Sequence, residues 1–124
     1  MYRKQIVHDR TTRDYAMYLN GELVGFAMGA PHDGGSPEYE GELSFIYVLQ
    51  RLHRQGLGQR LLCAVASRFV DDGVNSMLLF GEAMNPSNGF YEAFGAERLY
   101  SETGRFDGGY GWRDLRTLVA RCNA

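Results

Sequence analysis

The chain has 124 residues, 44% of them hydrophobic and 13% aromatic, with a formal net charge of −2. That length suits one domain, 1–124, with enough apolar surface for a core. The near-neutral balance argues against a nucleic-acid binder, which shows a clustered basic face. No apolar run approaches the roughly 20 residues of a membrane span, and Met1–His8 lacks a signal-peptide layout. The expectation is a soluble cytoplasmic protein. Lys4 is the only lysine, so the positive charge is almost all arginine. Cys63 and Cys122 have no metal-ligand spacing and make no disulfide framework, so they are expected to be reduced and structural, with no metal.

Tyr2–His8 reads as a short strand. Tyr15–Leu19, Asn20-Gly21 and Glu22–Met28 read as a hairpin, because a type I′ turn needs positive φ at both central residues and Asn-Gly supplies it. Residues 30–41, rich in Pro, Gly and Asp, read as a loop. Glu42–Leu49, carrying Phe45, Ile46, Tyr47 and Val48, reads as a strand. After a polar stretch, Gly56-Leu57-Gly58 opens a helical pattern in which Leu57, Leu61, Val65 and Phe69 recur every four residues, widened by Leu62 and Ala66. Gly73 is its expected stop. Ser76–Phe80 is a nearly continuous apolar run, as in a strand buried on both faces. Asn85-Pro86 suggests an N-cap followed by proline at the first helical position, with the helix running to Phe94 before Gly95. Ala96–Thr103 and Tyr110–Leu118 read as two final strands, with Asp107-Gly108 as the tight turn between them. The order predicts a mixed α/β layout around one sheet.

Two constellations carry chemistry. The first is a strand, then Arg54-Gln55-Gly56-Leu57-Gly58-Gln59-Arg60, then a helix. A helix N-terminus presents unpaired N–H groups and the positive end of its dipole, and glycine lets a phosphate approach them. A tight strand-to-helix turn needs glycine for geometry alone, so the motif by itself is ambiguous. It is not a P-loop, for no Gly-Lys-Ser/Thr follows, and Leu61 stands where a dinucleotide fingerprint has its third glycine. The second constellation is Asn85 to Gly95, which holds Ser87 and Phe90-Tyr91-Glu92. Phe90 and Phe94 suit a core, and Tyr91 alone would pass for an edge residue.

As a set these residues resemble the GNAT superfamily of N-acetyltransferases. His53-Arg54-Gln55-Gly56-Leu57-Gly58 is similar to its (Arg/Gln)-x-x-Gly-x-(Gly/Ala) signature, and Asn85 with Phe90-Tyr91 and Phe94-Gly95 to its second motif. The resemblance covers roughly residues 14 to 118. It implies a central mixed β-sheet with a splayed strand pair, here Glu42–Leu49 and Ser76–Phe80, and flanking helices. It also implies acetyl-CoA as co-substrate. The diphosphate would lie on the amides of Arg54, Gln55, Gly56, Leu57, Gly58 and Gln59, with His53 beside them. The pantetheine arm would pair with the strand at Tyr47 and Val48, and Asn85, Ser87, Phe90 and Tyr91 would line the site. A phenol is protonated at neutral pH, since its pKa is near 10 against about 8.5 for a thiol, so Tyr91 suits a general acid for the leaving sulfur. Glu42 is the expected base for the acceptor amine, with Glu82 as runner-up and Ser44 as a relay through water. The implied activity is acetyl transfer to an amine of a small molecule or peptide. The alternative is a non-catalytic module that senses acetyl-CoA.

Two departures from the family pattern stand out. Position 53 is His where the family has Arg or Gln, and it is expected to face the phosphates. Family members place two helices between the first two strands, and too few residues are present here for both. The acceptor side would then be open, lost, or completed by a second subunit, and sheet edges favour a homodimer.

Overall fold

The computed structural model describes residues 13–32, 38–53, 55–84 and 87–123, and the backbone of 4–8. Among the described residues seven strands form one sheet: β1 (Lys4–His8), β2 (Arg13–Leu19), β3 (Glu22–Pro31), β4 (Gly41–Val48), β5 (Met77–Leu79), β6 (Glu97–Tyr100) and β7 (Phe106–Trp112). Their order across the sheet is β1-β2-β3-β4-β5-β7-β6. Among the same residues three helices accompany them, α1 (Leu57–Asp71), α2 (Asn88–Ala93) and α3 (Leu115–Cys122).

The hairpin forms where Asn-Gly places it, with φ of 52° at Asn20 and 83° at Gly21. Helix α1 buries the residues its periodicity singled out: Leu57, Leu61, Leu62, Val65, Ala66 and Phe69 are each at most 2% exposed. Burying one such large side chain contributes about 1.5–3 kcal/mol, so this stripe anchors the helix to the sheet. The contact is close because the facing strand positions are bare. A Cβ on Gly41 would come within 2.9 Å of the Phe69 ring, and one on Gly29 within 2.9 Å of Val65. Strand β5 lies between β4 and β7, with all three residues buried.

The chain departs from the sequence reading in four places. Strand β3 continues to Pro31, into the expected loop, whose residues 33–37 lie outside the described ones. The turn before β7 is built on Gly104, whose N–H donates to the Ser101 carbonyl, and Asp107-Gly108 lies within β7. The expected strand Tyr110–Leu118 ends at Trp112 and gives way to α3. Asp114 caps that helix by accepting from the Arg116 N–H, the usual role of a carboxylate at an N-cap. Finally, Cys63 and Cys122 are not free thiols: they form a disulfide between α1 and α3 with Cα atoms 5.9 Å apart. A separation of 59 residues hid this pairing, because only the docking of α3 beside α1 brings the two sulfurs together.

At the N-terminal edge β1 pairs antiparallel with β2, Lys4 opposite Leu19 and His8 opposite Tyr15. Four residues, 9–12, separate these strands and lie outside the described ones. On the sheet face turned away from α1, Phe45 is 62% exposed and Tyr47 52%.

Candidate functional site

Strands β4 and β5 run parallel but pair only at Gly41–Met77 and Glu42–Leu78. Beyond that point they part. Strand β5 turns its remaining pairing to β7 alone, with Leu79 opposite Tyr110. The gap is a cleft of about 240 Å³ lined by Leu43–Ile46 of β4, Leu79–Gly81, Asn88 and Tyr91. From Leu43 onward the β5-facing side of β4 has no strand partner, so backbone groups that a ladder would consume face the cleft.

Tyr91 of α2 forms part of the cleft wall and is 9% exposed. Its ring lies 5.5 Å from Phe90 and 5.7 Å from Tyr110, centroid to centroid. Burial pushes its phenol above the ordinary tyrosine value, because the phenolate loses its hydration. The position of α2 is fixed from several sides. Trp112 Nε1 donates to the Phe94 carbonyl at 3.0 Å, the Tyr110 hydroxyl donates to Glu92 at 2.7 Å, and Arg121 of α3 donates to the Ala93 carbonyl at 2.8 Å. Asn88 holds the other end, donating to the carbonyls of Glu82 and Ala83. The Tyr110 hydroxyl, and then Arg98, keep the Glu92 carboxyl below the usual range.

The first turn of α1 opens beside the same cleft. Gly56 is its N-cap with φ 79°, a left-handed conformation that favours glycine, and a Cβ there would meet nothing within 4 Å. No acidic residue lies in that turn and, among the described residues, no side chain caps it, so the amides at the helix start are open to a ligand. Leu57 turns its side chain into the core and can offer only its backbone. A Cβ on Gly58 would meet the Phe90 ring at 3.7 Å and Val48 at 4.0 Å, so this groove runs between α1, α2 and the end of β4.

The chain matches the model of the acetyltransferase (GNAT) family over residues 2–96. It belongs to that family. It is 35% identical over 109 residues to YuaI, an uncharacterized N-acetyltransferase of Bacillus subtilis (strain 168), covering 83% of this chain and 63% of that one. The fold is similar to PaiA N-acetyltransferase of Thermoplasma acidophilum, solved in complex with coenzyme A (TM-score 0.66, 16% identity, 79% of this chain and 58% of that one). It is also similar to the ribosomal-protein-S18-alanine N-acetyltransferase of Escherichia coli (TM-score 0.61, 22% identity, 84% and 68%). The chain thus spans somewhat under two thirds of the length of the first two. The parted β4 and β5, flanked by α1 and α2, are the GNAT arrangement.

Arg54 and Asn85, with Pro86, lie outside the described residues, and the N-cap of α2 is Ser87. His53 turns back on β4, its Nε2 2.9 Å from the Val48 carbonyl oxygen. It therefore ties off the strand end, because an imidazole N–H within reach of an unpaired carbonyl satisfies it. Tyr47 lies on the sheet face away from α1, and Ser44 lies in the cleft wall, at the bulge where Met28 pairs Phe45 and Gly29 pairs Leu43. Glu82 is an exposed residue beyond β5 whose carbonyl accepts from Asn88. Glu42 is the last β4 residue paired with β5 and stands at the head of the cleft. Sequence reasoning missed its neighbour His32, whose Nδ1 lies 3.1 Å from Glu42 Oε1.

Among the described residues no helix is long and apolar enough to cross a membrane, and no cluster of metal ligands occurs.

Proposed function

We propose that this GNAT chain transfers an acetyl group from acetyl-CoA to a primary amine of a small molecule or peptide, by direct attack within a ternary complex. The observation that carries this reading is the cleft between β4 and β5, with a buried tyrosine in its wall and an uncapped helix N-terminus at its mouth. The free amides of α1 would hold the diphosphate, since hydrogen bonds to a charged partner are worth roughly 1.5–3 kcal/mol each. A cavity of about 240 Å³ fits the thioester end, leaving the nucleotide along the outside of α1. An unpaired N–H of β4 near Val48 would hold the charge that develops on the thioester oxygen.

The amine nitrogen then forms its bond to the carbonyl carbon and the carbon–sulfur bond breaks. Glu42 receives the proton the amine loses. The Tyr91 phenol gives its proton to the departing sulfur, and burial keeps it in the protonated form that can do so at neutral pH.

A second reading, a module that binds acetyl-CoA without turnover, is favoured by the direct β1–β2 pairing and the exposed Phe45 and Tyr47 on the acceptor-side face. One experiment separates the two. Acetyl-CoA should raise the melting temperature under either, because a ligand bound only by the native state stabilises it. Steady thiol release with a panel of amines supports the enzyme, and binding without release supports the module. Tyr91→Phe should lower kcat by roughly 10²-fold or more, the scale of lost general-acid catalysis, while leaving acetyl-CoA stabilisation intact. Unchanged turnover would remove Tyr91 from the mechanism.

A further inference from the structure

His32 follows Pro31 at the end of β3, on the strand neighbouring Glu42. Its backbone is held by the bond from its N–H to the Glu40 carbonyl at 2.8 Å, and its ring lies 6.1 Å from the Phe80 ring, which lines the cleft. The His32 side chain is only 6% exposed, whereas that of Glu42 is 29% exposed. Nδ1 lies 3.1 Å from Glu42 Oε1, and Nε2 is buried with no hydrogen-bond partner among the described residues.

These facts fix the roles of the two nitrogens. As a base, Glu42 is a carboxylate, which only accepts, so Nδ1 must carry the hydrogen. A buried N–H on Nε2 would go unanswered, so that side carries the lone pair, the less costly of the two unsatisfied groups. The ring is thereby set as a one-way donor to one carboxylate oxygen. Buried polar atoms rarely go without partners, and a histidine kept only for packing would more simply be an apolar residue. We infer that His32 is a positioning residue for the acceptor-side base: its Nδ1–H holds Glu42 Oε1 and leaves Oε2 turned outward to take the proton of the attacking amine. This rests on the acetyl-transfer reading above. Its proton balance is unchanged: the amine N–H breaks, Glu42 Oε2 gains the proton, and His32 neither gains nor loses one.

The test uses two amides that differ only in reach. His32→Asn places an N–H near the position of Nδ1, and His32→Gln carries it to the position of Nε2 instead. Thiol release from acetyl-CoA with a responsive primary amine is measured for both, for Glu42→Gln and for His32→Gln/Glu42→Gln, alongside melting temperature and acetyl-CoA stabilisation. Misplacing a reacting group by about 1 Å can cost on the order of 10²-fold. His32→Gln should therefore lose roughly 10-fold or more in kcat with KM for acetyl-CoA unchanged. His32→Asn should recover most of that loss, and His32→Gln should add nothing once Glu42 is Gln. Equal activity of the Asn and Gln variants, or a loss that persists in the Glu42→Gln background, would overturn the positioning role. A wild-type chain that turns over no amine would instead overturn the acetyl-transfer reading itself, and the two failures are thereby told apart.

Discussion

Reducing the Cys63–Cys122 disulfide should destabilise the chain by an amount that follows from its place in the fold. The bond closes a loop spanning a separation of 59 residues, running from the middle of α1 through β5, α2, β6 and β7 to the end of α3. Chain-entropy arguments assign a loop of this length about 4 kcal/mol of stabilisation, because the cross-link removes conformations from the unfolded state. For a domain of this size each kcal/mol shifts the melting temperature by roughly 3–5 °C, so reduction should lower it by roughly 10–20 °C. The assay is thermal unfolding followed by far-UV circular dichroism, with and without a reductant at constant pH. The double variant Cys63→Ala/Cys122→Ala should melt near the reduced wild type and ignore the reductant. Thiol titration of the unreduced, denatured chain should find none of its two cysteines free. Oxidised and reduced forms melting within about 3 °C of each other would refute the argument. It would mean that the reduced unfolded chain keeps residual structure between the α1 and α3 segments, so that the bond removes few conformations.

Gly58→Glu should abolish stabilisation by acetyl-CoA while leaving the fold intact, because a Cβ at 58 meets only ordinary contacts whereas a carboxylate there opposes a diphosphate. A thermal shift equal to wild type would place the diphosphate elsewhere. Tyr110→Phe should raise the Glu92 carboxyl back toward its ordinary value, since the Tyr110 hydroxyl is the main group holding it down. NMR titration of the Glu92 side chain reads this, and no upward movement would contradict the 2.7 Å bond. Burial raises the phenols of Tyr91 and Tyr110, so the unfolded chain ionises them first. Their stabilisation is fully present below a pH of about 10 and is lost as pH climbs through the raised folded values. With Lys4 the only lysine, urea midpoints between about pH 9 and 11.5 should report chiefly on tyrosines, and a flat profile would speak against the burial effect.

How much of this was legible beforehand depends on the range over which each feature is decided. Helix α1 was readable because its apolar stripe and its glycine turn are local. The Asn20-Gly21 turn was readable for the same reason. Helix α3 was also open to reading, though the expected strand was carried from Tyr110 through to Leu118: Asp114 is an N-cap residue type, and Leu115, Leu118, Val119 and Cys122 fall at helical spacing behind it. Tyr91 was found through its motif, but the groups that hold it were not. Trp112, Tyr110 and Arg121 reach α2 only after β7 and α3 have folded onto it, and no pattern near them announces that. The disulfide and the His32–Glu42 pair belong with these. Each needs two segments brought together by sheet order or helix docking, and single-sequence periodicity carries no term for either.

The two groups proposed to handle protons come from opposite faces of the sheet. Gly41 and Leu43 point at α1 and the core, so Glu42 between them points away, together with His32. Tyr91 belongs to the core that α1 and α2 share. The cleft between β4 and β5 is the passage that joins these sides, because it is where the ladder stops. An amine approaching from the Glu42 face and a sulfur leaving near Tyr91 would therefore exchange protons with separate groups across one strand gap, and neither group needs to serve both steps. The walls of that gap come from β4 and everything after it, whereas the N-terminal strands reach its head through His32. On the proposed reading, this division would leave the cofactor side intact in a GNAT chain whose β1 pairs directly with β2, with the acceptor side resting on few residues.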